Sequence, residues 1–227
     1  MPETLAGSFP NLGNAMKKSK NPLESSPSRR SFLGSILAIA FTGLHVNSTF
    51  AAGKGGRSGH AQVYLLRGLA NIFSTGLDEI GRKLRVAGVD AHVDSFMAWR
   101  SALNKIVANR RKFGPSPVIL VGHSLGANAI ISLAQELEKR GIRVDYMASF
   151  AATSPSPLPA NITRVVNFYF SSHSWGAALT KGKGFRGRLD NRDLSGDQHV
   201  NHFNVEKQGP LQDEVVNGIL RAIRLRR

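Results

Sequence analysis

Between residues 118 and 140 the chain passes from a continuous apolar run, Val118-Ile119-Leu120-Val121, through Gly122-His123-Ser124-Leu125-Gly126, into a stretch of helical periodicity that stops at Gly141. Four successive apolar residues without polar alternation suit a strand covered on both faces, as in the interior of a parallel sheet. Glycines bracket the serine, because a side chain at Gly122 or Gly126 would collide with neighbouring backbone in so tight a turn. Ala127, Asn128 and Ala129 keep the helix start small enough to pack closely. Such a corner lifts a serine hydroxyl clear of the sheet, and the helix N-terminus turns unpaired N–H groups toward the space above it. A Gly-bounded turn with an incidental serine is the plainer alternative. The strand before it and the helix after it favour the functional one.

The same alternation extends to both sides. Ala61 to Leu66 reads as a buried strand. Ile72, Phe73, Leu77, Ile80 and Leu84 recur at helical spacing until Gly88. Val89 to Phe96 is a weaker strand, and Trp99, Leu103, Ile106, Val107 and Phe113 mark a second helix with a basic C-terminal end, which suits the helix dipole. Val144 to Phe150 and Ile162 to Phe170 are further strands. Residues 171 to about 201 have no clear period, and a helix with Leu211, Val215, Ile219 and Ile223 on one face closes the chain. This pattern predicts a compact three-layer α/β/α sandwich with a mostly parallel sheet, one domain over residues 61–227. Residues 52–60, rich in Gly, Lys, Arg and Ser, read as a linker.

Val118 to Ile131 resembles the nucleophile elbow of the α/β-hydrolase superfamily, and the order of surrounding elements is similar from about Gln62 onward. The resemblance implies a serine hydrolase of the esterase, lipase or thioesterase kind, acting on a carboxylic ester or thioester without a cofactor. It makes Ser124 the nucleophile and the backbone N–H of Leu125 one oxyanion donor. The second donor belongs to the turn after an early strand, here Arg67-Gly68-Leu69, so Leu69 N–H matches it and Arg67 stands where His is usual. No metal-ligand spacing stands out, and with no Cys in the chain a Cys nucleophile, a zinc ribbon and a disulfide scaffold are all excluded.

A serine needs a neighbouring base. The family's order of serine, acid, histidine puts that base late, in Val200-Asn201-His202-Phe203-Asn204-Val205-Glu206, with His202 preferred and His199 in reserve. Val200 and Phe203 would anchor its loop on the core. His173 reads as a polar loop residue and His123 as a satisfied packing residue. The expected strand ends after the elbow carry no carboxylate, and Asp145 opens its strand at the wrong edge. Asp190, Asp193 and Asp197 remain on the irregular loop. Asp193 is chosen because Leu194 beside it can tether that stretch. The alternatives are a carboxylate merely pairing with Arg188 or Arg192, and a serine–histidine dyad oriented by a backbone carbonyl. The same loop carries Trp175, Phe185 and the basic residues Lys181, Lys183, Arg186, Arg188 and Arg192, either covering an acyl pocket or forming a solvated excursion.

Residues 1–51 read as an N-terminal extension with an export signal. Arg29-Arg30 directly precedes an apolar stretch, Phe32 to Val46, that is shorter than a bilayer span. It exits through small residues with cleavage expected near Ala51-Ala52. This resembles a twin-arginine signal, which implies a Tat receptor reading Arg29 and Arg30 and a periplasmic or secreted product. A basic arm before a buried helix is the alternative. The 227 residues include 30 Lys plus Arg against 15 Asp plus Glu, a net charge of +15. Removing residues 1–51 leaves 25 basic and 13 acidic side chains. For an exported chain that excess argues against nucleic acid and for peripheral contact with an anionic membrane or cell wall, or simply for solubility. A catalytically weak protein of this fold that binds an anionic envelope component is the rival to the hydrolase.

Overall fold

The computed structural model describes residues 61–69, 74–172 and 175–226. The expected signal, its Arg29-Arg30 pair, the cleavage site at Ala51-Ala52, the linker over 52–60, the start of the first helix at Ile72 and Phe73, and His173 lie outside the described residues.

Six strands form one fully parallel sheet: β1 (Gln62–Arg67), β2 (Ala91–Ser95), β3 (Val118–His123), β4 (Tyr146–Phe150), β5 (Arg164–Tyr169) and β6 (Arg188–Asp193), in the order β2-β1-β3-β4-β5-β6. Among the described residues four α-helices cover it: α1 (Gly76–Val86), α2 (Trp99–Phe113), α3 (Leu125–Glu138) and α4 (Gly209–Arg224). The expected three-layer sandwich is present.

Strand side chains alternate between two cores, as the period of two requires. Tyr64, Leu66, Val118, Leu120 and Met147 pack on α2 and α3 through Leu103, Ile106, Ile130 and Leu133. Val63, Leu65, Ile119, Val121 and Phe150 pack on the opposite face with Leu77, Ile80 and Leu84 of α1 and Val215 and Ile219 of α4. The expected helix faces are buried at Leu77, Ile80 and Leu84, at Leu103 and Ile106, and at Val215, Ile219 and Ile223, whereas Phe113 at the end of α2 is exposed. Among the described residues, the links from β4 to β5 and from β5 to β6 contain no helix. Leu158, Ile162 and Leu179 from those links fill the α2–α3 side instead.

Strand β6 is the element the sequence does not announce. Arg188-Leu189-Asp190-Asn191-Arg192-Asp193 is almost wholly polar because it is an edge strand, paired only with β5. Charged edges of this kind discourage pairing with other chains. Asp190 and Asp193 thus sit on a strand, not on an irregular loop. Polar clamps hold this edge. Buried Asn167 of β5 donates to Asn191 Oδ1 at 2.9 Å, and Asn191 exchanges bonds with both the N–H and the carbonyl of Leu179, at 3.1 and 2.9 Å. Asn191→Ala removes all three and leaves Asn167 short of an acceptor. It is expected to cost about 1–3 kcal/mol in a denaturant titration; a loss below about 0.5 kcal/mol, typical of an ordinary surface site, would show that the clamp contributes little.

Candidate active site

Strand β3 ends at His123 and α3 begins at Leu125, so Ser124 alone makes the corner. Its backbone lies at φ 57° and ψ −121°, a left-handed conformation that costs a non-glycine residue on the order of 1–3 kcal/mol. The surroundings hold it there. Ser124 N–H donates to the Phe150 carbonyl at the end of β4, at 2.9 Å. A Cβ on Gly122 would fall 2.4 Å from the Gly126 carbonyl oxygen, and one on Gly126 would fall 1.9 Å from that of Leu66. The first glycine lets α3 fold back over the end of β3, and the second lets α3 sit against β1. Gly68, in the turn after β1, is equally confined: its Cβ would meet Ser124 Cβ at 2.9 Å.

The His202 imidazole reaches this corner from 78 residues along the chain, with Nε2 at 3.1 Å from Ser124 Oγ. Its other nitrogen, Nδ1, faces the Trp175 carbonyl at 3.1 Å. A carbonyl can only accept, so Nδ1 carries the proton and Nε2 presents its lone pair to the serine hydroxyl. The short loop before α4 fixes the ring. Asn201 Oδ1 accepts from Phe203 N–H, Asn204 Oδ1 accepts from Asn201 N–H, and Asn204 Nδ2 donates to the His199 carbonyl. Buried Val205 then anchors the 3-10 turn Val205–Lys207. Val200 does pack against the core, whereas Phe203, expected as a second anchor, is half exposed. Exposed His199 lends the loop its main-chain groups, its N–H donating to Asp197.

Asp193 is the correction. Its carboxylate, at the end of β6, is taken up by the side chains and N–H groups of Ser171 and Ser195. The Ser171 hydroxyl, followed by that of Ser195, holds it well below the usual carboxylate range. The proximity of Leu194 carried no information about where the carboxyl points. Asp190 pairs with Arg192 at 2.9 Å, and Asp145 caps the opposite edge of the sheet, accepting from Val118 N–H. Among the described residues, the partner of His202 Nδ1 is thus a main-chain carbonyl, the arrangement that residue-type patterns are blind to.

A cavity of about 380 Å³ opens above Ser124, lined by Gly68, Leu69, Leu125, Thr153, Trp175 and Phe203 among others. Leu69 (65% exposed), Trp175 (54%) and Phe203 (50%) are three of the seven large apolar side chains exposed among the described residues, and they share this mouth. Leu125 is the first residue of α3, so its N–H has no intrahelical acceptor. Arg67 pairs with Asp78 and takes no part in the cavity lining. Phe185 packs against the core while Lys181, Lys183 and Arg186 are exposed, so the basic loop divides into a covering part at Trp175 and a solvated part. Among the described residues no group of three or more His, Asp or Glu side chains is gathered that could hold a metal ion.

Two buried titratable groups lie beneath the corner. His123 is fully enclosed, and burial drops its pKa from 6.5 to about 4. Glu206 is 0% exposed; among the described residues neither carboxyl oxygen has a hydrogen-bond partner, and one lies 3.8 Å from His123 Nε2. Burial pushes it up from 4.5 to about 7, offset in part by nearby amides and the Lys207 charge. Nothing in the sequence distinguished Glu206 from a solvated loop carboxylate.

No protein-family model and no curated protein matches the chain. Among solved structures it is similar to a candidate hydrolase of the α/β superfamily from Xanthomonas campestris pv. campestris. That match has 15% identity and a TM-score of 0.37, covering 71% of this chain and 94% of that one. It is also similar to a protein of unknown function from Agrobacterium tumefaciens str. C58, at 15% identity and a TM-score of 0.38, covering 72% of this chain and 92% of that one.

The two buried groups make opposite contributions to stability. Between pH 4.5 and 7 folded Glu206 keeps a proton that the unfolded chain has released, so its contribution falls as pH rises. Between about 4 and 6.5 folded His123 lacks a proton that the unfolded chain binds, so its contribution rises. Glu206→Gln removes the first and keeps the second. The variant's unfolding free energy relative to wild type is expected to climb by on the order of 3 kcal/mol from pH 4.5 to pH 7.5. Denaturant titrations across that range test it, and a pH-independent difference would mean that Glu206 titrates normally.

Proposed function

We propose that this chain is an exported serine hydrolase that cleaves a carboxylic ester or thioester through an acyl-enzyme on Ser124. The observation that carries the proposal is the 3.1 Å contact between Ser124 Oγ and His202 Nε2 at a left-handed strand-to-helix corner. The tautomer set by the Trp175 carbonyl puts the ring's lone pair on Nε2, where it can act as a base toward Ser124. As Ser124 Oγ bonds to the acyl carbon, its proton passes to Nε2 and the carbonyl oxygen becomes an oxyanion. The N–H groups of Leu125 and Leu69 receive that charge. The imidazolium then returns the proton to the departing alcohol or thiol. Water repeats the sequence on the acyl-enzyme, giving the carboxylic acid and free Ser124. The apolar mouth of Leu69, Trp175 and Phe203 suits an uncharged, lipid-like acyl group.

A fluorophosphonate probe is expected to label the wild-type protein and leave Ser124→Ala unlabelled; equal labelling of both would remove Ser124 from the reaction. His202→Ala is expected to lower kcat/KM for a p-nitrophenyl ester by roughly 10²–10⁴-fold, the usual worth of a positioned base. Binding of anionic envelope material with no ester turnover in either protein would favour the rival reading. Export rests on Arg29 and Arg30. Replacing both by Lys is expected to leave the uncleaved precursor in the cytoplasm, as followed by fractionation and immunoblotting; normal export of that variant would exclude the twin-arginine route.

A further inference from the structure

Below Ser124, four polar groups from separate parts of the chain join in sequence. Gly68 N–H donates to Ser74 Oγ at 2.9 Å, Ser74 Oγ lies 2.8 Å from His123 Nδ1, and His123 Nε2 lies 2.7 Å from the His202 carbonyl. Every donor and acceptor in this run is fixed by elimination. The His202 carbonyl can only accept, so His123 Nε2 carries the proton. The buried ring is neutral at ordinary pH, so Nδ1 holds a lone pair and the Ser74 hydroxyl donates to it. The Ser74 oxygen is then left to accept from Gly68 N–H. The Glu206 carboxyl lies 3.8 Å from Nε2, beyond hydrogen-bond distance. The other ionisable neighbours are the His202 ring, 5.1 Å away between centroids, and Lys207 beside Glu206.

The two ends of the run are the two parts that acyl transfer must hold in register. Gly68 belongs to the turn that presents Leu69 N–H, and its Cα hydrogens pack on Ser124 Cβ, where a methyl group would be too close. The His202 carbonyl belongs to the residue whose ring meets Ser124 Oγ. His123 itself sits on β3 directly before the serine. We propose that His123 is a positioning residue for the Ser124–His202 pair: its Nε2–H tautomer ties the loop bearing the base to the turn bearing the second oxyanion donor, with Ser74 completing the tie. The kinetic consequence rests on the hydrolase reading, whereas the direction of the hydrogen bonds does not.

The experiment uses the full-length protein and has two arms. In the first, ¹⁵N-labelled histidine is observed by NMR near pH 7, where His123 is expected to be protonated at Nε2 and unprotonated at Nδ1. A proton on Nδ1 overturns the proposal whether or not any ester is turned over. In the second, Ser74→Ala and His123→Gln are assayed on p-nitrophenyl butyrate. Each is expected to lower kcat about tenfold to a hundredfold, the scale of a small misplacement of reacting groups, with KM little changed. The double variant is expected to lose no more than the worse single one, because both cut the same run. Unchanged kcat in folded variants, or losses that multiply, would also overturn it. Should a variant fail to fold, the wild-type tautomer decides; should the wild type hydrolyse no ester, the hydrolase reading falls while the tautomer remains decisive for the tie.

Discussion

The left-handed backbone at Ser124 survives because three separate main-chain segments crowd it from different sides. The end of β4 supplies the Phe150 carbonyl to its N–H, β1 presses the Leu66 carbonyl against Gly126, and α3 folds the Gly126 carbonyl back on Gly122. Each contact exists because β3 lies between β1 and β4 in a sheet whose strands all run the same way. Parallel strands end at one edge, so the turn after β1, the corner after β3 and the chain leaving β4 meet there. The Gly68 turn and Thr153 reach the cavity for the same reason. Sheet order, not local preference, therefore makes the strained serine affordable.

The pairing of His202 with a main-chain carbonyl has a chemical consequence. A carboxylate on Nδ1 would orient the ring and also lend a full negative charge to the imidazolium that forms during proton transfer. A carbonyl dipole orients the ring equally well but offers only a partial charge. Orientation must then be supplied by rigidity around the ring. The structure is rich in it: the Asn201 and Asn204 side-chain bonds, the buried Val205, the edge-on contacts of Trp175 and Phe203 with the ring, and the His123 bond to the carbonyl of His202 itself. Burial leaves His123 neutral, so the imidazole beneath the pair adds no fixed charge at ordinary pH.

What the sequence made legible follows from which signals are local. The Val118–Val121 run and the glycines on either side of Ser124 record steric demands within a few residues, so the corner could be read directly. The helical faces of Leu77, Ile80 and Leu84, and of Val215 and Ile219, record burial and were read as easily. His202 followed from chain order within the family that the elbow resembles. Strand β6 was invisible because an edge strand with polar clamps has no apolar alternation. Asp193 was misplaced for a related reason: whether a carboxylate meets Ser171 and Ser195 or an imidazole depends on tertiary geometry that its neighbours in sequence do not encode. Trp175 contributes through its backbone, which every residue type shares.

Several departures from ordinary folding rules gather at one edge of the sheet, although Val86, Phe113 and Leu225 expose large apolar side chains elsewhere. Ser124 and Ala151 have left-handed backbones without being glycine, Glu206 buries a carboxyl with no hydrogen-bond partner among the described residues, and Leu69, Trp175 and Phe203 expose large apolar surfaces. All belong to the strand-end edge of the sheet or to the segments packed on it. Each is unfavourable locally, and none improves the packing of either core. The two cores lie between the sheet and its helices, and most strand and helix faces there are buried as their periodicities require. A chain selected for stability alone would have no reason to gather strain, an unsatisfied acid and exposed aromatic surface around one hydroxyl. The strained serine, the buried acid and the apolar mouth come together through tertiary geometry, so their meeting at Ser124 is an observation independent of the glycine–serine motif.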